Sequence, residues 1–269
     1  MDDPIGRHQA EAPDVVAGGD PAAIKRLYVD LGSSFAEAHQ SNLRDVPVLS
    51  APETAPVVEE LLDGVRGVVL DAGCGPNPAV SVTLGRRYGI SVVAVDLGWG
   101  TAKVARAVAA QQGVRITAVA GDVEALPFRA YAFAAVVCDD TLEHLPDDEA
   151  GVAELTRVLG PGGRMVIATP NRDSLQVIGR RIRDLFRGRR RPPRDYFVST
   201  SHLREYSWRE LEALLPPAVQ LRRRAVVGWN GGWKRRVASL IAAAPGLHRL
   251  AQMVVVEVEK AQTPGSVPS

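Results

Sequence analysis

The apolar positions of the chain change their period along its length. Five short, valine-rich runs stand at 68–71, 91–96, 115–120, 133–138 and 164–169. Such continuous apolar runs are expected of strands buried on both faces, as in a parallel sheet. Between them lie patterns with helical spacing at 79–88, 101–111 and 148–159, the last closed by Gly160-Pro161-Gly162-Gly163. That sequence stops a helix, because glycine suits the C-terminal cap and proline cannot continue it. Strands alternating with helices predict an α/β fold with a doubly wound, mostly parallel sheet.

The flanks follow other rhythms. Residues 1–19 are polar with no period and are expected to be a disordered tail. Asp20 offers an N-cap and Pro21 a first helical residue, after which Ile24, Leu27, Tyr28 and Leu31 share one face. A second helix is expected over 53–62, so residues 20–65 make an N-terminal helical lid before a catalytic domain at 66–269. After Pro170 a helix is predicted over 174–187, inside a substrate-side insertion at about 171–206. Ser207 and Glu210 form a capping box that opens another helix. Runs at 218–227 and 252–258 complete a seven-stranded sheet, with a helix expected between them from Trp233 to Ala243.

Composition narrows the function classes. The chain has 269 residues, 46% of them hydrophobic, and a net charge of +1, so bulk charge argues against a general polyanion binder. Cys74 and Cys138, the two cysteines, lie in or beside strand-like runs without metal-ligand spacing, which suits a reducing, cytoplasmic setting. The N-terminus lacks the basic and apolar regions of a signal peptide, and no run is long enough to span a bilayer.

The chemistry is carried by strand ends. The first strand runs into LDAGCGPNP, residues 70–78, where Gly73 and Gly75 let a ligand approach the backbone. A dinucleotide fingerprint needs a third glycine, and Asn77-Pro78 stands in its place. Asp71, just ahead of the glycines, would repel a pyrophosphate but suit an ammonium or sulfonium. Asp96 closes the second strand, where a carboxylate can accept both hydroxyls of a ribose. Asp122 closes the third, so three successive strands end in acids at the ligand-bearing edge.

LDAGCGPNP, VAVDL, GDVEALPF, FAAVVCDDTLEHL and LGPGGRMVIATPN, taken in this order, resemble the class I S-adenosylmethionine-dependent methyltransferases. Within these the similarity is to the ubiquinone/menaquinone-biosynthesis, or type 11, group. It covers residues 66–170 well, and HLREYSWRELEALL at 202–215 extends it. The resemblance implies a Rossmann-like methyltransferase fold whose last strand is antiparallel, and S-adenosyl-L-methionine as cofactor. It places Asp71, Gly73 and Gly75 at the methionine moiety, Asp96 on the ribose, and Leu97 on the adenine. It also has Asp122 accept from the adenine amino group, Val123 offer its backbone amide, and Asp139 sit near the cofactor's amino-acid part. The sequence departs from the family pattern at Asn77, Ala134 and Gly160, which bears on the path of the first loop.

The acceptor is less legible. His144 and His202 are candidate general bases, set against plain packing or substrate-orienting roles. Asp139, Asp140, Glu143 and His144 leave a divalent metal such as Mg2+ open, although a solvated loop is the preferred reading, and no metal ligand is assigned. Trp229 and Trp233 flank Asn230-Gly231-Gly232 and could stack on a sugar, which favours O-methylation of a saccharide or other polar small molecule. N- or C-methylation of a quinone-like or lipid acceptor, and a catalytically silent cofactor-binding partner protein, remain alternatives. The arginines between 180 and 194 suit an anionic acceptor or peripheral membrane contact, against a solvated cover helix. Neither DNA nor RNA is favoured, since no nucleic-acid module accompanies the run. The oligomeric state stays open.

Overall fold

The computed structural model describes residues 20–38, 54–87, 89–189, 202–227 and 250–262. The expected tail at 1–19, the arginines at 190–194, and the Trp229–Trp233 loop with its following helix lie outside the described residues. The first helix, α1, spans Pro21–Ala38, and Asp20 Oδ1 caps it by accepting from the Ala22 amide at 3.1 Å. A short α2 covers Ala55–Leu61.

From there the chain alternates as the periodicity predicts. It forms β1 (Gly67–Ala72), α3 (Ala79–Gly85), β2 (Ile90–Asp96), α4 (Trp99–Gln111), β3 (Ile116–Ala120) and β4 (Phe133–Asp139). A 3-10 turn at Leu142–His144, which the periodicity does not show, leads to α5 (Asp148–Val158) and β5 (Leu159–Pro170). The remainder comprises α6 (Leu175–Phe186), α7 (Trp208–Ala213), β6 (Val219–Val227) and β7 (Met253–Lys260). The capping box before α7 forms as expected: the Ser207 hydroxyl and the Glu210 side chain each satisfy the other's backbone amide.

The seven strands lie in the order β3-β2-β1-β4-β5-β7-β6. Neighbours among β1 to β5 are parallel, while β7 is antiparallel to both β5 and β6. The crossover between β1 and β4 makes a topological switch point at the carboxyl edge, where open α/β sheets bind ligands. One boundary shifts: the strand expected at 164–169 begins at Leu159 and takes in the helix-stopping Gly160-Pro161-Gly162-Gly163. This strand is β5, whose register with β4 jumps from Phe133–Leu159 to Ala135–Arg164. Gly162 allows this by taking φ +69°, and a Cβ on Gly163 would meet the Gly160 and Ala134 carbonyls at 2.8 and 2.9 Å.

Each sheet face buries its own core. One packs Val69, Val92, Val137 and Val255 under α2, α3 and α4; the other packs Leu70, Val136, Ile167 and Val256 under α5 and α7. Strand alternation produces this division, and it decides which strand-end side chains reach the edge and which turn beneath a helix. Helix α1 lies outside these layers and packs on α4, with Gly32 against Gly100 at the crossing.

Candidate functional site

A cavity of about 320 Å³ opens at the carboxyl edge, between the loops after β1 to β4 and the inner face of α1. Gly73, Gly75, Asp96, Leu97, Asp122, Val123 and His144 line it, so seven of the ten sequence-derived site residues meet there. Gly73 takes φ +80°, and a Cβ there would meet Thr141 Oγ1 at 2.1 Å. Gly75 takes φ +60° with open space beside it, a place where a ligand can reach the backbone. Asp96 is held ready by this loop, since its Oδ2 accepts from the Gly75 amide at 3.0 Å. Burial pushes the Asp96 carboxyl up, and amide hydrogen bonds from Gly75, Gly98 and Leu97 oppose that shift.

Asp71, Asp139 and His202 lie off the cavity wall. Asp71 shares the β1 face of Val69, beneath α3, and accepts from the Ser81 hydroxyl at 2.5 Å. Burial raises its pKa to about 6, against the hydrogen bonds from Ser81 and with the help of the Asp96 charge. Asp139 shares the β4 face of Val137 and accepts from Thr54 Oγ1 at 2.5 Å, while Asp140, at φ 48°, takes the cavity wall. Asp71, expected at the ligand's methionine moiety, is therefore a buried carboxyl group set against α3 rather than a residue of the cavity wall. The physical reason is strand parity: odd positions of β1 and β4 point under α2 and α3.

His202 sits on the segment between α6 and α7, which Leu203 N to Glu143 O at 2.9 Å and Tyr206 Oη to Asp148 Oδ2 at 2.8 Å tie to the 3-10 turn and α5. Its ring meets that of His144 edge-on at 4.9 Å, and its Nδ1 lies 3.0 Å from Glu205 Oε1. His144 Nδ1 in turn lies 2.7 Å from Tyr28 Oη, which α1 carries into the cavity. Glu143, His144 and His202 each offer a ligand atom, and these atoms all lie within 4.8 Å of one another. Glu143 Oε1 is buried without a hydrogen-bond partner among the described residues, and burial pushes this carboxyl well up. The set able to hold a cation thus contains His202 in place of Asp139 and Asp140.

Sequence reasoning missed two polar side chains that α1 contributes to the cavity, Lys25 and Tyr28. Tyr28 appears in the sequence only as part of an apolar stripe. Lys25 gives no local signal, because its partners Asp122 and Glu124 are about a hundred positions away; its Nζ lies 2.6 Å from Asp122 Oδ2 and 2.5 Å from Glu124 Oε2.

The charges on the cavity wall decide between ligand classes. Among the described residues, Asp96, Asp122 and Asp140 face one ammonium, Lys25, and that ammonium is already bonded to carboxylates. A pyrophosphate would meet repulsion, whereas a ligand with a sulfonium and an ammonium would not. Leu97, Val123 and Ile24 supply apolar walls for a flat ring, and Asp96 can receive vicinal hydroxyls. These features fit S-adenosylmethionine.

Comparison with known proteins agrees. Residues 70–167 match the family model described as a methyltransferase domain. The ubiquinone biosynthesis O-methyltransferase of Xanthomonas axonopodis pv. citri is 35% identical over 127 residues, 45% of this chain and 52% of the relative. The enzyme of the same name from Vibrio cholerae is 30% identical over 162 residues, 57% of this chain and 62% of the relative. The chain thus spans between half and two thirds of the length of these curated relatives. Among solved structures, the YcgJ protein of Bacillus subtilis aligns with a TM-score of 0.55 at 18% identity, covering 78% of this chain and 99% of that one, which establishes the fold. Most of β1 to β5 and their cavity loops fall in the matched region, residues 70–167, and over it the chain is similar to the S-adenosylmethionine-dependent methyltransferases of the type 11 group.

Proposed function

We propose that the protein transfers a methyl group from S-adenosylmethionine to a hydroxyl of a small molecule. The observation that carries this reading is the Tyr28–His144 contact at 2.7 Å on the wall of the cavity that also holds Asp96, Leu97 and Asp122. When bound, the cofactor supplies an electrophilic methyl on a sulfonium. Asp96 would hold the ribose, Leu97 and Val123 would flank the adenine, and the Gly73–Gly75 loop would let the amino-acid end approach the backbone. His144, with Nδ1–H donating to Tyr28 Oη, takes the hydroxyl proton at Nε2, and α1 excludes water from above. The curated relatives named O-methyltransferases support oxygen over nitrogen or carbon as the acceptor atom.

The saccharide preference drawn from Trp229 and Trp233 rests on residues outside those described. The described walls beyond the cofactor residues, Tyr28, Leu31, Leu145 and Pro146, are mostly apolar. They favour a hydroxyl borne on an aromatic or alkyl body. The test is to incubate the protein with S-adenosylmethionine and a panel of catechols, phenols and sugars, with and without chelator, and follow S-adenosylhomocysteine release. Turnover on the phenolic set is expected. Calorimetric binding of the cofactor without turnover on any hydroxyl acceptor would favour a silent binding protein instead.

A further inference from the structure

We propose that α6 is a docking surface for an anionic lipid bilayer. The helix turns Val177 and Asp184 inward, both nearly fully buried, while its other side carries large apolar groups into solvent. Ile182, Leu185 and Phe186 are 49%, 75% and 86% exposed. Their spacing places them on one helical face, and most of the other large apolar side chains of the described residues lie in the two cores. A patch of this kind marks a contact surface.

The charges around it identify the occupant. Arg181, Arg183, Arg187 and Arg189 are exposed around the apolar face, and Asp184, the acid between residues 175 and 189, is buried. Apolar side chains flanked by guanidinium groups fit the boundary between acyl chains and headgroups, where leucine and phenylalanine enter and arginine stems bend outward to phosphates. A second copy of the chain fits poorly, because an isologous contact would set these arginines against their own counterparts. Among the described residues no helix is long and apolar enough to cross a membrane, so the contact is one of surface. Since β5 ends at Pro170 and α6 starts at Leu175, the docked helix lies toward the sheet edge that holds the cavity. The proposal is independent of which atom is methylated, and indeed of whether turnover occurs.

The full chain is sedimented with vesicles of phosphatidylcholine alone and of phosphatidylcholine mixed with phosphatidylglycerol. Binding to the mixed vesicles is expected, with weakening as salt rises through the range where the Debye length falls below about 10 Å. Leu185→Glu with Phe186→Glu should abolish it, and Arg183→Gln with Arg187→Gln should weaken it by about fivefold per arginine. Circular dichroism reports whether each variant folds. Phe186→Trp, a swap at a largely exposed site, gives a second readout: its emission should shift to the blue with mixed vesicles only. No binding to the mixed vesicles, or binding and emission indifferent to the Leu185 and Phe186 changes, overturns the proposal. Concentration-dependent self-association lost in Phe186→Glu, without vesicle binding, overturns it in favour of a second copy.

Discussion

Lys25 Nζ lies 2.6 Å from Asp122 Oδ2, and this contact fastens α1 across the mouth of the cavity. The carboxylate is also the one expected to receive the adenine amino group. Burial opposes the Lys25 charge, yet the hydrogen bonds and attraction of Asp122 and Glu124 prevail and hold its pKa above the usual value. The pair is part-buried, so it resists salt more than a surface bridge does, though its net contribution is modest.

Lys25→Met should therefore loosen α1 while leaving the fold intact. Stopped-flow fluorescence is expected to show faster association and faster release of S-adenosylmethionine, with release changed more. A variant with unchanged rates in both directions would mean that α1 does not gate the cavity.

The fit of α1 on α4 gives a second prediction. A Cβ on Gly100 would meet the Gly32 backbone oxygen at 2.7 Å and Ala36 Cβ at 3.1 Å. Backbone cannot swing aside as a side chain can, so Gly100→Ala must push the helices apart. Overpacking of this type costs about 1–3 kcal/mol. Thermal melting should fall by several degrees and cofactor affinity should drop with it, since α1 supplies Ile24, Tyr28 and Leu31 to the cavity. Gly113→Ala, with nothing within 4 Å but φ +73°, is a control that strains a turn without touching α1.

These contacts also mark where sequence reading stops. Val68–Asp71, Ser91–Asp96 and the three later runs at 115–120, 133–138 and 164–169 were legible as strands because burial on both faces imposes continuous valine and alanine. The capping box at Ser207 was legible because both partners lie within one turn. The ends of β1 to β4 gave the cofactor acids for the same reason, since a parallel sheet presents all its carboxyl ends at one edge. Which acids reach the cavity was not legible: Asp139 and Asp140 are adjacent, and only the register of β4 sends one under α2 and the other to the wall. Lys25 and Tyr28 were hidden because a helix packed from a distance leaves only its own period in the sequence.

Asp71 predicts a pH dependence whose sign can be worked out. Its pKa is raised to about 6 in the folded chain, above an ordinary carboxyl, so the folded state binds the proton more tightly than the unfolded state does. Its contribution to stability is then fully present below the unfolded pKa and is lost as pH rises through about 6. Asp71→Asn keeps the acceptor for the Ser81 hydroxyl and removes the buried charge. In the absence of cofactor the variant should melt higher than the parent at pH well above that value, and the gap should close as the pH is lowered toward the ordinary carboxyl range. A gap of the same size across the whole range would show that Asp71 is not the titrating group.

The Tyr28–His144 pair separates binding from chemistry. His144 lies beside the cofactor residues rather than among them, so His144→Gln should leave S-adenosylmethionine affinity within error in calorimetry. Loss of a general base lowers turnover by about 10²–10⁴-fold, and that range is expected for kcat with the best acceptor found. Tyr28→Phe removes only the hydroxyl that meets Nδ1 and keeps the ring edge-on to His144, 5.5 Å between centroids. A net hydrogen bond of this kind is worth about 1 kcal/mol, so turnover should fall by roughly fivefold, with the fold and KM for the cofactor unchanged. If the double variant loses no more than His144→Gln alone, tyrosine acts through the histidine. If the two losses multiply, Tyr28 touches the acceptor itself, and the proton passes by a different route.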